Sequence, residues 1–344
     1  MVGYLTVPLF SRVSTGRRIM VAGLVTTGLA AVLALVVYTS ATHGTDPARG
    51  AGRSPDALPG GSAGPSGSGS PSASASASRS ASPGPSGSGA AAPAPPAPPP
   101  PLPPPVGAGW TLMWSPDPQR EGLAAFEGIE DDRAGTDPGV KHIFVDHNGA
   151  NYYYRFNMPA RERDSATDRQ RNEVKGMHAG GQDLSLGLGE TWRLDWAIFI
   201  PDSLQGTISF THIMQLKMPG TGSSPILTMD LTRNKSSNAQ RLQVKIFNGG
   251  LVIGSTDLAP LHNRWLTSSL TFRIGDAPDG AVSWRLDVGG TNLVNATKTG
   301  VDTWLQERVR PKWGIYRSVE QFETAYPLAD CSMYIDNLRA YQQK

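Results

Sequence analysis

The chain has 344 residues, 39% of them apolar, with 31 Lys and Arg against 29 Asp and Glu. Six arginines, Asp46 and Asp56 fall within residues 1–106, leaving 25 basic and 27 acidic residues for the rest. That near-neutral block excludes a globally basic nucleic-acid binder, and a lone cysteine, Cys331, excludes a disulfide framework and a CxxC metal or redox site.

Arg12, Arg17 and Arg18 stand just before Ile19–Tyr38, an uncharged run of twenty residues. A helix of that length spans a bilayer core, and the preceding arginines orient it with the N-terminus in the cytoplasm. Thr39–Ser40–Ala41 offers the small residues of a signal-peptidase site, so residues 1–41 read either as a cleaved signal or as a retained transmembrane anchor. In both cases the rest of the chain is expected to be extracellular, secreted or held at the membrane. Residues 42–107 are dominated by Ala, Ser, Gly and Pro, with Ser/Ala alternation over Ser72–Ser82 and near-continuous proline over Pro95–Pro105. Such a segment buries too little apolar area to offset backbone ordering and is expected to be a disordered spacer, extended where proline dominates.

From residue 108 to 344 the texture changes to short period-two runs separated by Gly, Asn, Asp and Pro. Strands are expected over Tyr152–Met158, Thr191–Ile200, Ile208–Lys217, Ile226–Leu231, Arg241–Phe247, Leu266–Ile274, Val282–Val288, Gly314–Ser318 and Ser332–Tyr341. Turns are expected at Asn248–Gly249–Gly250, Asp279–Gly280 and Gly289–Gly290. Only Val319–Tyr326 suggests a turn or two of helix, and Cys331 reads as a small buried hydrophobe near the last strand. The pattern implies an all-β antiparallel sandwich, and a monomer.

Alternation also assigns faces. Arg171, Glu173 and Lys175 share one face, as do Gln215 and Lys217; His212 falls on the face opposite Gln215 unless a bulge intervenes. Lys312, Gly314 and Tyr316 face one way, and Trp313 and Ile315 the other, toward a core. Three strands thus present long polar side chains, with acids scarce and Gly314 leaving space beside Tyr316 for a ligand. A solvated sheet face is the plainer reading of the same pattern.

The segments RNEVK (171–175), MQLK (214–217) and KWGIYRS (312–318), with ETWRLDWAIFIP (190–201) and YIDNLRAY (334–341), resemble the β-jelly-roll polysaccharide lyases. The resemblance is nearest to the heparin-lyase-I-like and glucuronan-lyase-like group and more distant to the alginate lyases. It implies a concanavalin-like β-jelly roll and β-elimination on an acidic polysaccharide such as glucuronan, alginate or a glycosaminoglycan, with no cofactor required. Carried over residue by residue, it gives Arg171 and Gln215 the neutralisation of the uronate carboxylate and Tyr316 the proton transfer. Lys217, Lys175 and Lys312 line the groove, and Glu173 orients Arg171 or Lys175. Lys217 stands where the alginate-type pattern of Gln, Ile or Val, then His has its histidine, which leaves the base open among Tyr316, His212 and the loop histidines His147 and His178.

The chemistry suits these residue types. Removing the C5 proton puts negative charge on an already anionic carboxylate, and fixed donors and cations stabilise it as it forms. A carboxylate matches the fork of Arg and the amide of Gln. No zinc-type ligand spacing is present, and Glu130–Asp131–Asp132 reads either as solvated loop charge or as a structural calcium site. A glycoside hydrolase needs two carboxylates flanking the bond, and Glu190 and Asp195 face opposite ways on a regular strand. A non-catalytic carbohydrate-binding or adhesion module would use Trp192, Trp196 and Trp265 as stacking platforms instead of core. Linkage, epimer and sulfation would be read by loops such as 219–224 and 176–189.

Overall fold

Alternation along Thr191–Phe199 shows how the sandwich is built: Trp192, Leu194, Trp196 and Ile198 turn inward and are buried, with Arg193 and Asp195 on the other face. A computed structural model describes residues 96, 97, 99, 107, 109–220, 223–320 and 326–344. Numbered along the chain, the larger sheet has the order β15 (Thr291–Val301), β14 (Gly280–Val288), β13 (Trp265–Arg273), β8 (Thr191–Phe199), β17 (Cys331–Gln343), β4 (Asn151–Met158), β3 (Ile143–Asn148). An eighth strand, β1 (Trp110–Trp114), also pairs with β17. The second sheet has the order β12 (Val252–Asp257), β11 (Gln240–Ile246), β10 (Pro225–Arg233), β9 (Thr211–Lys217), β16 (Arg310–Ser318), β5 (Arg169–Lys175), β2 (Gly128–Glu130). A short hairpin, β6 (His178–Ala179) with β7 (Gln182–Asp183), stands apart.

Neighbouring strands in both sheets are antiparallel, and the two sheets face each other across one apolar core in a jelly-roll-like sandwich. Trp313 sits at its centre, stacked on Trp114 at 5.8 Å and edge-on to Trp196 at 6.4 Å. Each expected strand is present, with ends shifted by up to four residues. The strands that the alternation did not reveal include β15, β3, β12 and β2, which close the edges of the two sheets. Edge strands pack on one side only, and β15, with the pattern TNLVNATKTGV, is mostly exposed.

Several expectations need correction. Trp192, Trp196 and Trp265 are buried, so none offers a stacking platform to a glycan. Gly314 makes no room for a ligand. Its φ is 145°, and a Cβ there would collide with the Asn172 carbonyl oxygen and lie 2.6 Å from Glu173 Cα, so the glycine lets β16 approach β5. The transmembrane reading gains no support: among the described residues no helix is long and apolar enough to cross a membrane. Ile19–Tyr38, the peptidase-type site and most of the linker lie outside the described residues, as do residues 321–325 of the suggested helical turn.

Candidate active site

The core face of the seven-stranded sheet is mainly apolar, with Gln170, Asn172 and Arg317 as buried polar residues; its other face floors a cleft of about 710 Å³. β5 contributes Arg169 and Arg171, β9 contributes His212, Gln215 and Lys217, and β16 contributes Arg310, Lys312 and Tyr316. Glu130, Asp164, Phe210, Ser223 and Lys245 are among the residues of its walls.

His212 reaches this face through a bulge. Met229 and Asp230 are adjacent on β10 yet oppose Met214 and His212, which are two apart on β9. On the other side of β9 the same pair opposes Trp313 and Tyr316. Ile213 is thereby buried in the core, and His212 shares the cleft with Gln215.

Below the cleft runs a network of charges linked across strands. Glu173, fully buried, accepts from Lys312 Nζ and from Gln215 Nε2, each at 2.5 Å. Glu130 accepts from Lys312 Nζ at 2.7 Å and from Arg171 Nη1 at 3.1 Å. Burial pushes the Glu130 carboxyl up, but Lys312 and Arg171 overcome it and bring it down to about 2. Arg171 Nε lies 3.1 Å from Asp164, and the guanidinium carbon sits 3.9 Å from the centre of the Tyr316 ring. Burial disfavours the Arg171 charge, and the surrounding carboxylates more than restore it, holding the group above its usual value.

Two proton-handling groups sit beside each other above this network. Arg169 Nη1 donates to the Tyr316 hydroxyl oxygen at 2.7 Å, which leaves the phenolic hydrogen free for another acceptor. The His212 ring lies 5.5 Å from the Tyr316 ring and stacks on Phe210 at 4.9 Å. Its Nδ1 donates to Asp230 Oδ1 at 2.5 Å, so Nε2 is left as the basic nitrogen, with no hydrogen-bond partner among the described residues. Asp230 is itself buried, and Thr228 Oγ1 and Lys245 Nζ engage its other oxygen at 3.0 Å. Burial raises the Asp230 carboxyl, and His212 and Lys245 outweigh this and keep it below its ordinary range. Lys217 Nζ donates to the Ser223 hydroxyl at 2.5 Å and to the Ser223 carbonyl. Burial, then the like charges of Lys312, Arg171 and Arg310, bring the Lys217 ammonium down to about 8.

Of the residues singled out from sequence, Tyr316, Arg171, Gln215, Lys217, Lys312 and His212 converge on the cleft. Glu173 lies beneath the floor, holding Gln215 and Lys312. Lys175 is outside the cleft lining, its Nζ 3.6 Å from Glu130. His147 is exposed, and His178 pairs with Asp183 at 2.8 Å; neither lines the cleft. Loop residues Gly220, Ser223 and Ser224 line it, and residues 176–189 do not. Acids are not scarce here, as the sequence suggested, because Glu130, Asp164 and Asp230 arrive from outside the three recognised segments. Arg169 was legible from its place two residues before Arg171 on the same face; Asp230 was not, because its alignment with His212 depends on the bulge.

The acidic run does not fit calcium. Glu130 is paired with Lys312 and Arg171, Asp131 accepts from the His142 ring at 2.9 Å, and Asp132 accepts from the Thr136 and Asp137 amides at 2.7 and 2.8 Å. Among the described residues no group of three or more His, Cys, Asp or Glu is placed to hold a metal ion.

No family model and no curated protein matches the chain. Solved structures do show similarity. A PL-14 alginate lyase from Aplysia kurodai is 14% identical, over 67% of this chain and 98% of that one, with a TM-score of 0.46. An endo-β-1,4-glucuronan lyase from Trichoderma reesei is 13% identical, over 63% and 91%, with a TM-score of 0.42. An alginate lyase from Pseudomonas aeruginosa is 14% identical, over 64% and 99%, with a TM-score of 0.42.

Proposed function

We propose that the protein is a polysaccharide lyase that cleaves a uronic-acid-containing polymer by β-elimination, acting outside the cell as its leader suggests. The observation that carries this reading is the pairing of two oriented proton carriers. Asp230 holds His212 with Nε2 basic, and Arg169 holds Tyr316 with its hydrogen free, 5.5 Å apart between ring centres.

In this reading His212 Nε2 removes the C5 proton and the electron pair forms the C4–C5 double bond. The C4–O bond breaks as that double bond forms, and Tyr316 protonates the departing oxygen. Where the C5 hydrogen and the C4 oxygen lie on one side of the sugar, Tyr316 serves both steps once its own proton has passed to His212 Nε2: the phenolate takes the C5 proton and returns it to the departing C4 oxygen. Lys217 and the second amide hydrogen of Gln215 meet the carboxylate as negative charge develops on it. No water enters the balance. A hydrolase would need a carboxyl able to give up a proton, but Glu130 is held ionised by Lys312 and Arg171. Glu190 and Asp195 are taken by Trp192 and Arg193 and lie outside the cleft lining.

The test is incubation with glucuronan, alginate, heparin, heparan sulfate and pectate, following absorbance of the unsaturated uronate. Tyr316→Phe is expected to lower turnover by about 10²–10⁴-fold while polymer binding persists. Reducing ends without that absorbance would make the protein a hydrolase, and retention of polymer without shortening would make it a binding module.

A further inference from the structure

Resting on the lyase reading, a finer statement about substrate comes from how the cations of the cleft are paired. Six of them already have a carboxylate partner. Lys312 has Glu173 and Glu130, Arg171 has Glu130 and Asp164, and Lys245 has Asp230. Arg310 has Glu127 at 2.8 Å, Arg169 has Asp168 at 2.6 Å, and Arg133 has Asp164 at 3.5 Å. Lys217 differs. Its Nζ donates to two neutral oxygens of Ser223, and among the described residues no carboxylate lies within ion-pair distance.

We propose that the cleft is matched to an unsulfated polyuronate, whose single carboxylate at the reacting sugar is received by Lys217, and that it discriminates against densely sulfated glycosaminoglycans. A paired, partly buried cation has little charge left to offer, because its carboxylate cancels it at close range. Each added sulfate would have to lose its water against a wall that also carries Glu130 and Asp164, and unmatched like charges at an interface are strongly unfavourable. One uronate carboxylate, in contrast, meets one cation whose burial beside Lys312 and Arg171 already disfavours its lone charge. The anion relieves that cost, so binding and charge stabilisation fall on the same side chain.

The experiment compares rates of unsaturated-product formation by the full chain on glucuronan, alginate and unsulfated heparosan with rates on heparin of similar length. The expected ratio of kcat/KM is about 100-fold in favour of the unsulfated polymers. Lys217→Met should collapse that preferred activity, and Lys217→Arg should restore part of it together with the preference. Equal or faster cleavage of heparin overturns the inference and leaves the lyase reading intact. If no polymer yields unsaturated ends, the lyase reading fails, and calorimetry of the same polymers decides the inference alone. Tighter binding of the unsulfated chains would uphold it; tighter binding of heparin would overturn it.

Discussion

The outer faces of the two sheets are built from the same strand geometry but keep their charges differently. On the eight-stranded sheet two of the pairs are local, and a third, Arg155 to Asp146 at 3.0 Å, joins β4 to the edge strand β3. Arg193 reaches Asp195 and Arg285 reaches Asp287, each two residues along one strand, and an aromatic cluster of Tyr153, Trp265 and Tyr334 fills the space between strands. On the seven-stranded sheet the partners come from different strands: Glu130 of β2 holds Arg171 of β5 and Lys312 of β16, and Asp230 of β10 holds His212 of β9. Local pairs tie a side chain to its own backbone neighbourhood. Pairs across strands tie the strands to one another, and fix the direction in which each cleft group points. The second arrangement is the one that can hold a reacting geometry, because several rigid elements locate each side chain.

Removing the centre of the network should therefore cost the most. Glu173 is fully buried between Lys312 and Gln215, so Glu173→Ala leaves Lys312 with Glu130 alone and frees the amide of Gln215. The expected loss of stability is about 3–5 kcal/mol, measured from the urea midpoint. A loss below about 1 kcal/mol would show that the strands are held by packing and that the network is incidental.

Acid should weaken the same face by a smaller step. The Glu130 carboxyl is ordinarily near 4.5 and stands at about 2 in the folded protein. A depressed carboxyl contributes stability that is complete above its unfolded value and is lost as pH falls through its folded value. Between about pH 4.5 and 2 the protein should lose roughly 3 kcal/mol through this group. Glu130→Gln should start less stable at neutral pH and converge with the wild type near the bottom of that range. Parallel stability curves for the two proteins would remove Glu130 from the account.

How much of this was legible depended on whether the local pattern matched the global one. Arg171, Lys312, Tyr316 and Gln215 were found because β5, β16 and the later part of β9 alternate regularly, so sequence position gave the face directly. His212 was misplaced by strict alternation because one residue, Ile213, is taken up by the bulge. Gly314 was read as an opening when it is a close contact between two backbones, a distinction that needs the neighbouring strand. The carboxylates that balance the site come from segments distant in sequence, Glu130 and Asp164 before β5 and Asp230 after β9. Nothing in the spacing of one strand reports which acid another will bring. The cationic face that a single-strand reading gives is therefore a paired one in the fold.

The smallest expected effect is the control that gives the comparison its meaning. Arg285 is about half exposed and bonds Asp287 at 2.6 Å on its own strand of the eight-stranded sheet. Water screens such a pair, and ordering a long side chain offsets most of what the contact contributes. Arg285→Ala should move the urea midpoint by an amount equivalent to less than about 0.5 kcal/mol and leave product formation unchanged. A shift as large as that of Glu173→Ala would mean that distance and chemistry alone set the value of an ion pair here. A null result beside a large Glu173 effect assigns the difference to burial and to linkage across strands, both of which the Arg285 pair lacks.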